Sequence, residues 1–486
     1  MSKYILSGYK LIRSYLGVIL ILIGVVLLLP LLVLFAYPDE IIWAKYFFIP
    51  ASLSIILGLA MAILIANHPK EKLERNHDAI IITVSWIMAI LVSTVPFTLS
   101  GQCDFLHALF ECTSGYATVG LTVIDVSNMP HLFLMFRSIM LLFGGVGLIL
   151  VVTTVMSRYY GMKLYQAEGH SDRLMPNLIY SARVIFAIYI CYIVIGSLMY
   201  MYFGMNWFDA INHAISALST GGFSTKVNSI AYYNSPQIEY ISIILMLLGS
   251  INFLLHLAII KGEWQKFVKH CETKLMFWII IIATPIVTFL LLNNFADGTF
   301  RIALFHVVSA MTTTGFSTVT ISNFTAPIIL ILIILMTIGG GVGSTAGGIK
   351  QYRIYVLLKD FIWDLKGKIS SKYVIRPNKI DKFGESVKIG NEEKLSIGNF
   401  ALLYLIVLAI GTFIISCYGY SLQDSLLEFS SALSSAGLSS GIINATAPIG
   451  VLITCIFGMF LGRLEMYIIF IAIAKLCDDI KNKIIE

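Results

Sequence analysis

Charged residues are scarce in this sequence. Only 12% of its 486 residues are Asp, Glu, Lys or Arg, whereas 58% are hydrophobic. A soluble globular chain carries about twice that charged fraction, so the composition argues against a water-soluble fold. Enzyme patterns are lacking too: there is no HExxH, no GxSxG and no pair of cysteines or histidines at metal-ligand spacing. These absences argue against a membrane enzyme, which needs a nucleophile with its base or a metal site.

The seven cysteines stand singly, without a CxxC pair. Cys103 and Cys112 both fall in a segment that we predict to face the outer side of the membrane. A disulfide between them is left open, although Cys112 falls on a predicted buried helix.

Apolar stretches of roughly 20 residues recur along the chain, and that length crosses a bilayer as a helix. We expect about ten spans, at residues 12–36, 45–66, 79–99, 131–156, 182–203, 237–260, 275–293, 326–358, 397–417 and 447–475.

Basic residues are distributed unevenly between the loops. Most of them lie in alternate segments, at residues 67–77, 158–183, 261–274 and 350–394. Residues 100–130 and 418–446, by contrast, hold no Lys or Arg. Because loops rich in Lys and Arg stay in the cytoplasm, both termini are predicted to be cytoplasmic. The net charge of +6 then reflects topology, and no nucleic-acid partner is expected.

A short signature occurs once in each of the four predicted outward segments. It reads TSGYATVGLTV (113–123), ISALSTGGFST (215–225), VSAMTTTGFST (308–318) and SSALSSAGLSS (430–440). Aligned on one glycine, all four copies have a serine six residues earlier and Thr or Ser two residues earlier. Turn glycines in unrelated extracellular loops would not keep this register. It indicates an internal repeat, and a repeat defines the fold.

Each signature lies between two predicted spans, and the segment before its glycine has only about 10 residues, too few to cross a membrane as a helix. We therefore predict an all-α polytopic membrane protein. It has four tandem helix–pore loop–helix repeats in a pseudo-fourfold arrangement around one ion pore, plus two extra N-terminal transmembrane helices. The expected parts are residues 1–77 (two-helix extension), 78–160, 180–265 and 272–358 (repeats one to three, the third with a broken second helix), 359–396 (cytoplasmic linker) and 397–486 (repeat four).

Non-helical backbone is expected after each short pore helix, at membrane depth. It is tolerated there only when it is buried in protein or lines water. A ring of backbone carbonyls around a pore satisfies that condition, because it replaces the hydration shell of a cation. Glycine permits the positive φ that such a backbone requires. The predicted selectivity-filter residues are Thr118, Val119, Gly120, Thr220, Gly221, Gly222, Thr313, Thr314, Gly315, Ser435, Ala436 and Gly437.

The second helix of the third repeat is interrupted by GGGVGSTAGG at residues 339–348, here called the glycine-rich loop. Six glycines in ten residues do not hold a helix, and unwound backbone at mid-membrane marks an ion path. Arg463 lies 26 residues after Gly437, and the same count from Gly315 reaches Gly341. We predict a movable gate beside a cationic barrier, formed by Gly339, Gly340, Gly341, Gly343, Ser344, Thr345, Gly347, Gly348 and Arg463. The alternative for Arg463 is a structural salt bridge, with Glu465 in another subunit or with Asp and Glu residues near the cytoplasm.

Other polar residues near these motifs allow two interpretations. Four pore-helix serines either pack between helices or support the filter through their hydroxyls: Ser114, Ser216, Ser309 and Ser431. Hydrogen bonding at the outer face, rather than ion ligation, is expected of Glu111, His213, His306 and Glu428. Arg137 is expected to snorkel from the outer end of its helix, and Lys350 to face the cytoplasm.

These motifs resemble the Trk/Ktr/HKT superfamily of potassium transporters, most closely the TrkH-type bacterial subunits. The resemblance covers nearly the whole chain and depends on the four one-glycine filters, GGGVGSTAGGIK (339–350) and GRLE (462–465). It implies potassium uptake across the bacterial inner membrane, a homodimer in the lipid bilayer, and a cytoplasmic RCK-type, TrkA-like regulatory subunit that binds nucleotides. No nucleotide is expected on this chain itself, since no GxGxxG follows a strand.

The four filter copies share one aligned glycine, against two glycines in the TVGYG stretch of potassium channels, and the fourth copy reads SSAG where family filters are closer to TTTG or ATGG. Because glycine fixes fewer carbonyl positions here, we predict that potassium is favoured over sodium less strictly than in a potassium channel.

The alternative function is a sodium- or proton-coupled secondary transporter of potassium or another small solute, which would show two inverted halves. Residues 359–396 are either a solvated linker or a docking segment for the regulatory partner.

Overall fold

A computed structural model describes residues 2–66, 76–147, 178–292, 298–369 and 378–485. The basic loops expected at 67–77 and 158–183, and the inner part of the span expected at 131–156, lie mostly outside these residues.

The chain begins with a pair of helices that stands apart from the repeats. Helix α1 (Ser2–Leu28) leads through two 3₁₀ segments (Leu29–Phe35 and Pro38–Trp43) into α2 (Ala44–Ala66). The two helices approach closely at glycines: a Cβ on Gly58 would lie 2.6 Å from the carbonyl oxygen of Gly17. Small residues at helix crossings allow membrane helices to pack closely.

Four repeats follow, each with an outer helix, a short pore helix and a second helix. The first contains α3 (His77–Leu99), α4 (Phe105–Tyr116) and α5 (His131–Val146), and the second α6 (Leu178–Tyr202), α7 (Trp207–Leu218), α8 (Pro236–Ser250) and α9 (Phe253–Ile260). After α10 (Trp264–Lys269), the third contains α11 (Cys271–Leu291), α12 (Thr299–Met311), α13 (Ala326–Ile338) and α14 (Gln351–Ile369). The fourth contains α15 (Asn391–Ser416), α16 (Leu422–Leu433), α17 (Ile449–Arg463) and α18 (Met466–Ile485). Short 3₁₀ turns, Ser229–Tyr233 and Ile321–Asn323, follow the filters of repeats two and three.

Three of the four pore helices begin at a capping side chain. Asp104, Asn206 and Ser421 each accept a hydrogen bond from the backbone amide three residues later, and α12 begins after Gly298 instead. Such caps satisfy amides that a helix start leaves unpaired. Cys112 is buried on α4, and both it and Cys103 are free thiols.

Two predicted spans are not continuous helices. Six helices in the described ranges are long and apolar enough to cross a membrane, while α8 with α9 is bent by 108° and α17 with α18 by 99°. The spans expected at 237–260 and 447–475 are therefore each bent within their length. The α8 helix can stop because the carbonyl of Ser250 accepts from the amide of Gly341 at 2.9 Å, and Asn252 caps α9. At the second bend, Glu465 has a left-handed φ of 51°.

Residues 359–396 contain more regular structure than a linker. They include the end of α14 and an antiparallel hairpin of β1 (Lys379–Lys382) and β2 (Glu385–Lys388). The turn residues Phe383 and Gly384 both have positive φ, which a two-residue hairpin turn requires. Ile380 packs with Cys271 of α11 in a small cluster, so the hairpin is attached to the third repeat. These are the only strands in the described part of the chain, and its other regular elements are helices.

We expect Gly58→Leu to destabilise the N-terminal helix pair. The new side chain would meet the Gly17 carbonyl and Ile21, and overpacking of this kind costs about 1–3 kcal/mol. Thermal unfolding in detergent measures the effect. The matched control is Gly398→Leu in α15, where a Cβ meets no heavy atom within 4 Å. Equal midpoints for the two variants would contradict the packing account.

Candidate functional site

The predicted filter backbone alternates in handedness within each repeat. In every copy the Thr or Ser and the glycine two residues later have positive φ, while the residue between them does not. The values are 52° and 86° at Thr118 and Gly120, 49° and 71° at Thr220 and Gly222, 54° and 85° at Thr313 and Gly315, and 57° and 81° at Ser435 and Gly437. Alternation of this kind turns successive carbonyl oxygens toward one side. The glycines were expected to supply positive φ, whereas the strained Thr and Ser conformations were not foreseen.

The pore-helix serines hold the filter mainly through their backbone. In each repeat the amide preceding the filter glycine donates to the carbonyl of the serine, at 2.9 Å. The pairs are Val119 with Ser114, Gly221 with Ser216, Thr314 with Ser309, and Ala436 with Ser431. Only the hydroxyl of Ser309 also reaches the filter strand, donating to the carbonyl of Phe316 at 2.8 Å. The other three hydroxyls are buried without a hydrogen-bond partner among the described residues.

The four filter glycines are in mutual contact. A Cβ on any of them would collide with a backbone carbonyl oxygen of the next repeat. The colliding pairs are Gly120 with Gly221, Gly222 with Thr314, Gly315 with Ala436, and Gly437 with Val119. Each glycine is therefore required for its φ and for the close approach of a neighbouring backbone. Because the fourth repeat meets the first, the four filters form a closed ring.

A single outer cavity of about 580 Å³ opens above this ring, and all four filter glycines line it. Side chains of three pore helices are bonded to the segments that follow their filters. Thr122 donates to Glu111 at 3.0 Å, Ser439 donates to Glu428 at 2.7 Å, and Ser224 contacts His213 at 2.9 Å. His306 instead bonds the carbonyl of Ile302 in its own helix. The hydrogen-bonding roles expected for these four residues match the contacts.

The sequence predicts that Arg137 snorkels, but in the structure it does not. Its side chain is only 2% exposed, and its Nε lies 2.6 Å from Oε1 of Glu111, which is fully buried. A buried carboxylate requires a charged or hydrogen-bonding partner. The ion pair with Glu111 therefore holds Arg137 in the protein interior.

The glycine-rich loop lies directly against the inner ends of three filter segments. The hydroxyl of Thr345 donates to the carbonyl of Leu218 at 3.1 Å. The amide of Gly347 donates to Oγ1 of Thr313 at 2.8 Å, and a Cβ on Gly347 would collide with the carbonyl oxygen of Ser434. The loop therefore contacts repeats two, three and four just below the ring.

Arg463 binds this loop to the first repeat. One guanidinium nitrogen donates to the carbonyl of Thr345 at 2.8 Å, and another to the carbonyl of Gly145 at 3.2 Å and to that of Gly144. The side chain lies at the level of the loop, as the residue count from the filters predicts. Glu465, the salt-bridge partner considered for Arg463, pairs with Arg353 at 2.8 Å.

Lys350 does not point to the cytoplasm, contrary to expectation. Its Nζ folds back onto the carbonyl of Ala346 in the loop. With Arg463 and Glu465 it lines an inner cavity of only about 30 Å³. That space holds about two water molecules.

Sequence reasoning missed two side chains that hold the other end of the loop. Glu272 accepts from the amide of Val342 at 3.0 Å, and Asn252 donates to the carbonyl of the same residue at 2.5 Å. Both belong to other helices, and neither carries a motif that reveals the contact.

The chain is similar to known cation transport proteins. A family model described as cation transport protein, TrkH, matches residues 44–296 and 273–483. An uncharacterised cation transporter of Methanocaldococcus jannaschii is 30% identical over 472 residues, covering 96% of this chain and 95% of that protein. The Trk system potassium uptake proteins TrkH and TrkG of Escherichia coli K12 are 27% and 30% identical, and cover 95% and 82% of this chain and 98% and 85% of their own lengths.

The crystal structure of the potassium transporter TrkH from Vibrio parahaemolyticus superposes with a TM-score of 0.83 at 24% identity, covering 94% of this chain and 98% of that one. This likeness confirms the predicted fold class, and the relatives confirm a transporter subunit rather than an enzyme. The chain belongs to the TrkH family of cation transport proteins.

Proposed function

We propose that this protein takes up potassium across the bacterial inner membrane through the ring of filter backbones. The observation that carries the proposal is the closed contact of the four glycines, which brings four sets of carbonyls around one axis. Such a ring replaces the water around a cation. The relatives named as potassium uptake proteins support potassium as the ion transported. The filter comprises residues 118–120, 220–222, 313–315 and 435–437.

The repeat geometry favours this function over a secondary transporter with two inverted halves. All four repeats run in the same order of outer helix, pore helix and second helix. Potassium should be favoured over sodium, but less strictly than in a filter with two glycines per copy. The two termini then lie in the cytoplasm, and the chain works as a homodimer.

The glycine-rich loop acts as the gate in this proposal, with Arg463 as its latch and as a cationic barrier. Closure depends on a few hydrogen bonds between the loop, the filter ends and the guanidinium. Opening requires the loop to leave these partners. Several backbone bonds are then lost together, so the closed and open positions are distinct states rather than a continuum.

Regulation by a cytoplasmic RCK-type, nucleotide-binding subunit would act through the hairpin β1–β2. The amide of Phe383 donates to Nδ1 of His270 at 3.2 Å, and the two rings stack with centroids 4.7 Å apart. The Nε2 atom of His270 lies 3.2 Å from Oε2 of Glu272, whose Oε1 accepts from Val342 in the loop. A continuous set of contacts therefore joins a cytoplasmic surface to the gate. Partner docking on residues 359–396 would displace the hairpin and, with it, Glu272.

We expect Gly222→Ala to lower potassium selectivity or uptake by about tenfold, because a Cβ there meets the Thr314 carbonyl in the ring, whose coordination of the ion sets selectivity. Rubidium uptake, with sodium as competitor, is measured in a strain that lacks other potassium systems. Gly204→Ala is the matched control, since Gly204 also has a positive φ of 102° but open space around it. Native behaviour of Gly222→Ala would contradict the filter assignment.

We expect Arg463→Ala and deletion of residues 340–347 each to raise rubidium flux without the regulatory subunit, because each removes the latch. Flux into vesicles reconstituted with the purified protein measures this. Arg353→Ala serves as the control, since it removes a nearby positive charge whose partner is Glu465. If neither the arginine variant nor the deletion changes the flux, the gate proposal is wrong.

Glu272→Ala should uncouple the gate from the hairpin. It removes the acceptor for Val342 and the partner of His270, so stimulation by the regulatory subunit should be lost while the filter still discriminates. Flux is compared with and without that subunit. Glu263→Ala is the control, because Glu263 makes an exposed surface pair with Lys266 near the same hairpin. Full stimulation of Glu272→Ala would contradict this route.

A further inference from the structure

Arg137 joins the strands that follow two neighbouring filters. It lies on α5 of the first repeat and forms its ion pair with Glu111 of α4. One of its terminal nitrogens donates to the carbonyl of Ser224 at 3.1 Å, and its guanidinium carbon lies 3.9 Å from the centre of the Phe223 ring. Phe223 and Ser224 directly follow the second filter glycine, Gly222.

Glu111 continues the connection on the other side. It accepts hydrogen bonds from the hydroxyl of Thr122 at 3.0 Å and from the amide of Val123 at 3.3 Å. These two residues follow Gly120 in the first filter. A charged bridge therefore runs from the first filter strand through Glu111 and Arg137 to the second.

Only the first repeat has an arginine at this position. The residues at the same count after the filter glycine in the other repeats are Glu239, Leu332 and Thr454. Glu239 pairs with Arg301 on α12 at 2.9 Å, which joins repeats two and three between helices. The arginine of that pair is 29% exposed, whereas both members of the Arg137 pair are buried.

We propose that Arg137 is a positioning residue for ion selectivity: with Glu111 it fixes the spacing between the first and second filter strands. The inference rests on the proposed filter function. Discrimination depends on how the coordinating carbonyls are held around the ion, and a filter whose copies share one aligned glycine has few enforced positions. Charge-assisted hydrogen bonds are short and directional, so this bridge resists contraction of the ring around a smaller ion.

The test uses two variants that disturb the bridge differently. Arg137→Lys keeps a positive charge beside Glu111 but lacks the planar fork that also reaches Ser224. The double variant Arg137→Met/Glu111→Leu removes both charges, which avoids leaving one buried charge unpaired. The control is the double variant Glu239→Gln/Arg301→Gln, which removes the ion pair between repeats two and three. Each protein is purified whole, checked for a single folded species, and reconstituted for measurement of the potassium-to-sodium flux ratio.

The flux ratio is expected to fall by about tenfold in both Arg137 variants, the loss that breaking a hydrogen bond to a charged group produces. The control should keep the native ratio. An unchanged ratio in the folded Arg137 variants, an equal fall in the control, or failure of both variants to fold would overturn the inference, the last because it makes the pair a folding element only.

Failure of the inference can be distinguished from failure of the proposed function. If Gly222→Ala behaves as native, the filter assignment itself fails. If Gly222→Ala lowers selectivity while the Arg137 variants do not, the filter assignment stands and only the positioning role is lost.

Discussion

Four backbone segments approach one another without side chains between them, and the rest of the structure depends on that approach. Each filter glycine lies where a Cβ would collide with a carbonyl oxygen of the neighbouring repeat. The contact holds only if all four pore helices end at the same depth. The side-chain caps at Asp104, Asn206 and Ser421 and the paired amides of the pore-helix serines fix that depth.

The glycine-rich loop below the ring is likewise held largely through backbone atoms. Helix α8 stops at Ser250, and the carbonyls of its last turn are free for the glycine-rich loop to use as acceptors. The loop also contacts the inner ends of the filter segments, and Arg463 donates to carbonyls from two repeats. A segment held by such short-range bonds, rather than by apolar packing, can exchange one set of partners for another.

Local signals predicted much of this arrangement. The register of Gly120, Gly222, Gly315 and Gly437 is visible because the repeat copies share a pattern, and the broken helix at 339–348 is visible because glycine clusters do not hold a helix. The positive φ of Thr118 and the bend after Ser250 were not visible. Neither is set by its own residue type. Thr118 ends α4 through local bonds, from its own amide to the Gly115 carbonyl and from the Val119 amide to the Ser114 carbonyl, whereas the bend after Ser250 depends on bonds to the distant glycine-rich loop.

The charged residues show most clearly which contacts could not be predicted from the sequence. Arg137 near a helix end reads as a snorkelling residue, and only the position of Glu111 on another helix shows it to be buried. Lys350 and Glu272 are similar: their partners are backbone atoms of the loop, and backbone partners leave no trace in residue types. Composition and periodicity therefore predicted the repeats, while the links between repeats required the tertiary structure.

The most direct measurement is anomalous scattering from crystals of the protein grown in rubidium. The account predicts a peak on the axis enclosed by Gly120, Gly222, Gly315 and Gly437, within coordination distance of carbonyls from all four repeats. Rubidium flux through the same preparation, with no peak inside that ring, would contradict it.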